Sequence, residues 1–371
     1  MIVNLVVIFL MLILGGIYSQ GTATKRNGAA NRKAYIKVVS IILILQSGLR
    51  NIAVGSDTYA YFIRFEDMKI TSWNEIFQFF INYYIQGIGK DPGYRIFEKF
   101  FQVILHEYQL YLIIIAILFF TALGRFIYFN TSKLNHAILA YILYSVLFYS
   151  FFSVTGHRQT IATAIALLGY ELAKRRKLIS FVVIVFMASS MHKSALIVLP
   201  LYFLIKYKNS KFLYCLVLVS FPILMILKEK ILIMMKILVG YDNYDVYQGA
   251  GTFTFTMMYL FISLGVLYRM DFVLKLYPKA IFYYNVMAIG VLFLPLTWVN
   301  PTAMRVVMYF SIFMLVLIPI VVESFQQYSE KTQKAVMFLA ISTLILLFLQ
   351  SSANVEYKFF WQEMSLGSNY N

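Results

Sequence analysis

Cysteine is almost missing from this chain: the single thiol, Cys215, sits in the apolar run FLYCLVLV. No disulfide can form within the chain, so cysteine usage says nothing about redox compartment. Histidine is scarce too, with 4 residues in 371, and no paired-cysteine or clustered-histidine spacing suggests a metal. Charge is thin. Only 13% of residues are charged, against about 25% in a soluble domain. Acids are the scarcer sign, 16 against 32 Lys and Arg. This deficit excludes a soluble globular domain.

Apolar length takes the place of charge. Hydrophobic residues make up 61% of the chain, and they come in long runs rather than alternating. About 18 such residues cross roughly 30 Å of hydrocarbon as a helix, and a helix satisfies its own backbone in lipid. The sequence therefore reads as an all-α, polytopic integral membrane protein with about twelve transmembrane helices. The spans lie near 1–19, 35–50, 109–129, 135–153, 157–173, 178–191, 194–206, 211–227, 253–269, 280–299, 303–323 and 335–350. The first run lacks a basic n-region and a small-residue cleavage site, so it is expected to remain as a mature span.

The charges orient these spans. With the N-terminus outside, the inner segments collect Lys25, Arg26, Arg32, Lys33, Lys37, Arg125, Lys133, the Lys174–Lys177 run, Lys206, Lys208, Lys211, Arg269, Lys275, Lys279, Lys331 and Lys334. Only Glu171, Asp271, Glu323 and Glu330 oppose them there. The outer segments are nearly balanced, so the positive-inside rule favours this orientation. The net charge of +16 is then a feature of the cytoplasmic face, not a nucleic-acid footprint.

One transmembrane domain, 1–371, is expected, with two outer loops at 51–108 and 228–252 and an outer tail at 351–371. In the first loop, Trp73, Ile76, Phe77, Phe80, Ile81 and Tyr84 share one helical face, the spacing of a helix lying in the membrane interface. The second loop ends in YDNYDVYQGAGT. Its Tyr241, Tyr244 and Tyr247 suit stacking on sugar faces, or equally an interfacial aromatic belt.

Ionisable groups at membrane depth are the candidates for chemistry. GLRNIAVGSDTYAY supplies Arg50, Asp57 and Tyr61, with Gly55 allowing a tight turn before Asp57. The bland alternative is a snorkelling anchor followed by a turn. TGHRQTIATAIAL places His157, Arg158 and Gln159 at a helix start, where a cation is disfavoured unless an anion sits beside it. SSMHKSALIVLP supplies His192, Lys193 and Ser194 in a turn between two short spans, which pulls the turn toward the bilayer. His192 reads as a base or as a satisfied buried histidine. WVNPTAMRVVMYF puts Arg305 just after Pro301. DPGYRIFEKF adds Asp91, Tyr94, Arg95 and Glu98, the last two spaced for a local ion pair. Several arginines at one face suit phosphate, because the guanidinium is a permanently charged fork.

These motifs together resemble the EpsG family of Wzy-like bacterial polysaccharide polymerases. The resemblance rests on LRNIAVGSDTYAY, GYRIFEKF, HRQTIATAIAL, the basic KRRK turn, MHKSALIVLPLY and MRVVMYF, over roughly residues 1–320. It implies a GT-C-like helical bundle in the inner membrane with a site facing outward. The implied activity is transfer of a glycan from an undecaprenyl-diphosphate carrier to another lipid-linked repeat unit. Arg50, Asp57, Arg158, Gln159, His192, Lys193 and Arg305 are the implied site, to which the residue reading adds Tyr61 and Arg95. His192 or Asp57 is the expected base; the arginines, Gln159, Lys193 and Tyr61 are expected to hold diphosphate and glycan. No metal or cofactor is expected. The partners are the lipid-linked oligosaccharide, membrane lipid and a chain-length regulator, not nucleic acid. A flippase for lipid-linked glycans or an O-antigen ligase are the alternatives. A flippase is expected to carry charges through mid-span, whereas here they crowd at the outer ends.

Overall fold

The computed structural model describes residues 2–20, 25–55, 57–205, 207–239, 252–352 and 356–363. It is helical throughout, as the unbroken apolar runs require, and it divides into two units, 1–196 with 335–371, and 197–334. Among the described residues six helices are long and apolar enough to cross a membrane, or seven if a pair bent by 56° around residues 311–314 is one span. The chain is a membrane protein. Other segments read as spans are shorter or more polar. Leu134–Leu147 and Leu178–Met191 are apolar but short. The helix Lys25–Gly48 opens on KRN, and His157–Lys174 opens on HRQ and ends on a lysine.

The first unit begins with α1 (Ile2–Ser19) and α2 (Lys25–Gly48). Residues 51–108 are a compact three-helix insertion: α3 (Thr58–Asp67), α4 (Trp73–Gln86) and α5 (Pro92–Leu105). Then follow α6 (Tyr108–Asn130), α7 (Leu134–Leu147), α8 (His157–Lys174) and α9 (Leu178–Met191). α2 and α8 pack on α6, and α9 packs on α8 and α5. The helices alternate in direction. At one end Arg32 Nη1 donates to Tyr128 O at 3.1 Å and Asn130 Nδ2 donates to Glu171 Oε1 at 2.9 Å. At the other end Ser47 Oγ donates to Ser153 O at 3.0 Å, and Gln109 Nε2 donates to Gly48 O.

α4 starts on a capping box, with Ser72 Oγ accepting from Glu75 N and the Glu75 carboxylate accepting from Ser72 N. Its apolar residues serve two sides. Ile76 is buried, whereas Trp73, Phe77, Ile81 and Tyr84 stay exposed. The single face read from the sequence is thus split, because α4 also packs on α5. The described part of the tail folds back on α2: Asn51 N–H donates to Lys358 O, and Phe360 N–H to Leu49 O, each at 2.9 Å.

The second unit holds α10 (Leu201–Leu204), α11 (Ser210–Val239), α12 (Phe253–Leu276), α13 (Ile281–Phe293), α14 (Met304–Ser311) and α15 (Met314–Ser324). α11 packs on α13 and α12 on α15. Buried Arg269 ties α12 to the end of α15, its Nε donating to Ser324 Oγ at 3.0 Å and its Nη1 to Tyr328 OH at 2.6 Å. Residues 228–239, read as the start of the second outer loop, continue α11 as helix, since no Pro or Gly interrupts them. Tyr241, Tyr244 and Tyr247 lie outside the described residues. α16 (Glu330–Ser352) follows, and 6% of its apolar window is buried.

Candidate functional site

The site is built around Asp91, the residue before Pro92 at the start of α5. Proline disfavours the right-handed helical region for the residue before it. Asp91 instead takes a left-handed conformation, φ 53°, which Asp tolerates better than most residues. Gly93 allows the next turn to sit against the end of α9. A Cβ there would lie 2.3 Å from Ser190 Oγ and 2.7 Å from Ser190 Cβ. The close approach brings Asp91 to the turn after α9.

Asp91 is 1% exposed, and its carboxylate is fully engaged. Arg158 Nη1 donates to Oδ2 at 2.6 Å. His192 Nδ1 lies 3.3 Å from the same oxygen. Lys193 backbone N–H donates to Oδ1 at 3.1 Å. Burial pushes the Asp91 carboxyl up, but the hydrogen bond from His192, the charge of Arg158 and the Lys193 backbone N–H outweigh it. Its pKa falls below the usual carboxylate range. Arg158 thus has an anion beside it at the start of its helix, and the chain itself provides it.

A second buried row backs the first. Arg158 Nε donates to Tyr61 OH at 3.3 Å. The Tyr61 ring stacks on His157, with centroids 4.3 Å apart and planes at 19°. Arg50 Nη2 donates to His157 Nε2 at 2.7 Å, and its Nη1 donates to Ser47 O. Arg50, His157 and His192 are each 2% exposed. Just before α8, residues Ser150–Thr155 form a π-helical turn, and Thr160 Oγ1 donates back to Phe152 O at 2.8 Å. This widened turn, a feature common at functional sites, sets the start of α8.

Of the site residues expected from the sequence, Arg50, Tyr61, Arg158, His192 and Lys193 are brought into these two rows. Gln159 is adjacent and buried, its Oε1 accepting from Ser194 Oγ at 3.3 Å. Asp57 stands at the start of α3, where its carbonyl accepts from Tyr61 N–H; the carboxylate paired with Arg158 is that of Asp91. Gly55 takes φ 99°, the tight turn expected before Asp57. Arg95 lies 3.8 Å above the Phe79 ring and ties α5 to α4. Glu98 accepts instead from Tyr94 OH at 3.2 Å. Arg305 is in the first turn of α14, in the second unit. Among the described residues no group of His, Cys, Asp and Glu could hold a metal ion.

The chain matches the EpsG family over residues 33–362. It belongs to that family. EpsG membership and the apolar helices together make it a polysaccharide polymerase-like membrane protein. No curated protein and no solved structure matches it. The EpsG match runs well past residue 320, where the motifs end. It takes in both buried rows and the tail residues that pair with Leu49 and Asn51.

Asp91 and His157 stand among the sequence candidates, but neither is in the site that the sequence predicts. The placement of Arg158 at a helix start signals an anion, and the resemblance to EpsG proteins puts that anion on a substrate. The acid before Pro-Gly at a helix start, in the longest loop, was the available clue.

Proposed function

We propose that the protein is a glycosyltransferase of the Wzy type, making O-antigen, capsule or exopolysaccharide in the bacterial inner membrane. It transfers a glycan from undecaprenyl diphosphate to a second lipid-linked repeat unit on the outer face. Its topology is twelve-span and GT-C-like, with 51–108 and the tail outside and the exposed stripe of α4 in the interface. The Arg158–Asp91–His192 cluster carries the reading. A permanently charged fork, a carboxylate and an imidazole converge at the end of the helices that the charge pattern assigns to the outside.

The reaction divides among them. The acceptor hydroxyl oxygen bonds to the anomeric carbon as the carbon–diphosphate oxygen bond breaks, with inversion. The bond electrons leave on undecaprenyl diphosphate, where Arg158 offsets the growing charge. The hydroxyl proton passes to His192 Nε2. Asp91 accepts from His192 Nδ1–H, which leaves the lone pair on Nε2 and stabilises the imidazolium that forms.

Arg158→Ala is expected to abolish polymer while protein level and membrane insertion stay near normal. Arg158→Lys restores little, because a point charge cannot replace the fork. Single repeat units then accumulate on their carrier at the outer face. Accumulation at the inner face instead would indicate a flippase. Full polymer from the Ala variant would reduce Arg158 to a structural cation.

A further inference from the structure

Arg50 is the most buried of the arginines assigned to substrate, and its surroundings do not suit contact with one. Its guanidinium is directed to Ser47 O and His157 Nε2, inside the unit. Because arginine stays protonated, His157 Nε2 must be the acceptor, and the imidazole is neutral with its proton on Nδ1. The other tautomer would set an N–H against a guanidinium donor. Nδ1 has no hydrogen-bond partner among the described residues, so the Arg50 bond alone selects this form. The neutral ring then serves as the platform on which Tyr61 stacks, and Tyr61 OH in turn accepts from Arg158 Nε.

Arg50 is itself held from behind. Its backbone forms an antiparallel bridge with Phe359. Around that bridge Asn51 Nδ2 donates to Gln362 O at 2.8 Å, and Tyr357 OH to Gln46 O at 2.5 Å. A turn stabilises the tail, with Phe359 N–H donating to Gln362 Oε1 at 2.9 Å and the Phe359 and Trp361 rings stacked 4.6 Å apart. The family match ends at residue 362, within this turn.

We infer that Arg50 and the C-terminal strap 356–363 are positioning elements that fix the His157 tautomer and, through Tyr61, the orientation of Arg158, without touching substrate. This rests on the polymerase reading only for its kinetic arm. The spectroscopic arm is independent of it.

The spectroscopic arm uses the full chain in nanodiscs with ¹⁵N-labelled histidine and arginine, His157 and Arg158 being assigned by His157→Gln and Arg158→Lys. The parent shows a neutral His157 protonated on Nδ1. Arg50→Gln, and Phe360→Pro, which removes the N–H donor to Leu49 O, lose that signature and shift Arg158 Nε; Phe360→Ala keeps both. An unchanged His157 in Phe360→Pro and Arg50→Gln overturns the inference. The kinetic arm follows glycan transfer. Arg50→Gln and Tyr61→Phe each lower kcat roughly 10-fold with little change in KM, and the double variant is no slower than the worse single. Residues contacting substrate independently would multiply to roughly 100-fold, and that product also overturns the inference. A parent chain that shows the spectra but transfers no glycan removes the polymerase reading and leaves the His157 coupling standing.

Discussion

At the scale of single residues, one buried carboxylate joins a cation and an imidazole, and each can be removed separately. His192→Gln keeps hydrogen bonding but loses basicity, so transfer should slow about 10²-fold or more while lipid-linked substrate still binds. Transfer at the parent rate would leave His192 as a positioning residue. Glu98 gives a different signal. It is fully buried, and burial raises its pKa to about 7 despite the opposing charge of Arg64 and the hydrogen bond from Tyr94. A carboxyl whose folded pKa lies above its unfolded value, about 4.3, binds more protons when folded, so stability falls as pH rises. The loss runs between about 4.3 and 7 and amounts to at most about 4 kcal/mol. The parent should therefore melt at a lower temperature at pH 8 than at pH 5. Glu98→Gln should remove part of that difference, and a Glu98→Gln chain with the full pH dependence would contradict the assignment. Asp91 has the opposite sign. Its depressed pKa stabilises the fold above about pH 3.9, and that contribution is lost as pH falls through its folded value.

At the scale of elements, the seam between α5 and α9 decides whether Asp91 reaches Arg158 and His192. Gly93→Ala places a Cβ against Ser190 Oγ, Cβ and backbone, so the start of α5 must move. Thermal and activity assays should show about 1–3 kcal/mol lost together with most of the transfer. Ser190→Gly in the same chain should recover part of both. No recovery would mean that the seam is not the cause. Ser72→Ala, at the capping box of α4, should cost about 1 kcal/mol without touching transfer, since α4 adds no side chain to either row. Much of this scale was legible in the sequence. The apolar face of Trp73–Tyr84 announces α4, and the misplaced Arg158 an anion. The pairing of Arg158 with Asp91, 67 residues apart, was not legible, because no local spacing encodes which loop acid reaches which helix start. The burial of Arg50 was hidden likewise, since only the folded tail closes over the end of α2.

At the scale of the whole molecule, membrane character followed directly from composition. Run length counts about twelve spans, whereas among the described residues six or seven helices meet the length and hydropathy of a full crossing. The rest are short, or polar at an end: α2 where it opens on basic residues, and α8 where the buried rows need charge. A reporter fused after Lys90 should read outside and one after Arg176 inside. An inside signal after Lys90 would move the site to the wrong face for a polymerase. The most direct test of the account is transfer by the purified protein in liposomes supplied with undecaprenyl-diphosphate-linked repeat units. The parent chain should lengthen them in steps of one repeat unit and release undecaprenyl diphosphate, and Asp91→Asn should do so at least about 10²-fold more slowly. Movement of the units across the membrane without lengthening, or an Asp91→Asn chain as fast as the parent, would contradict it.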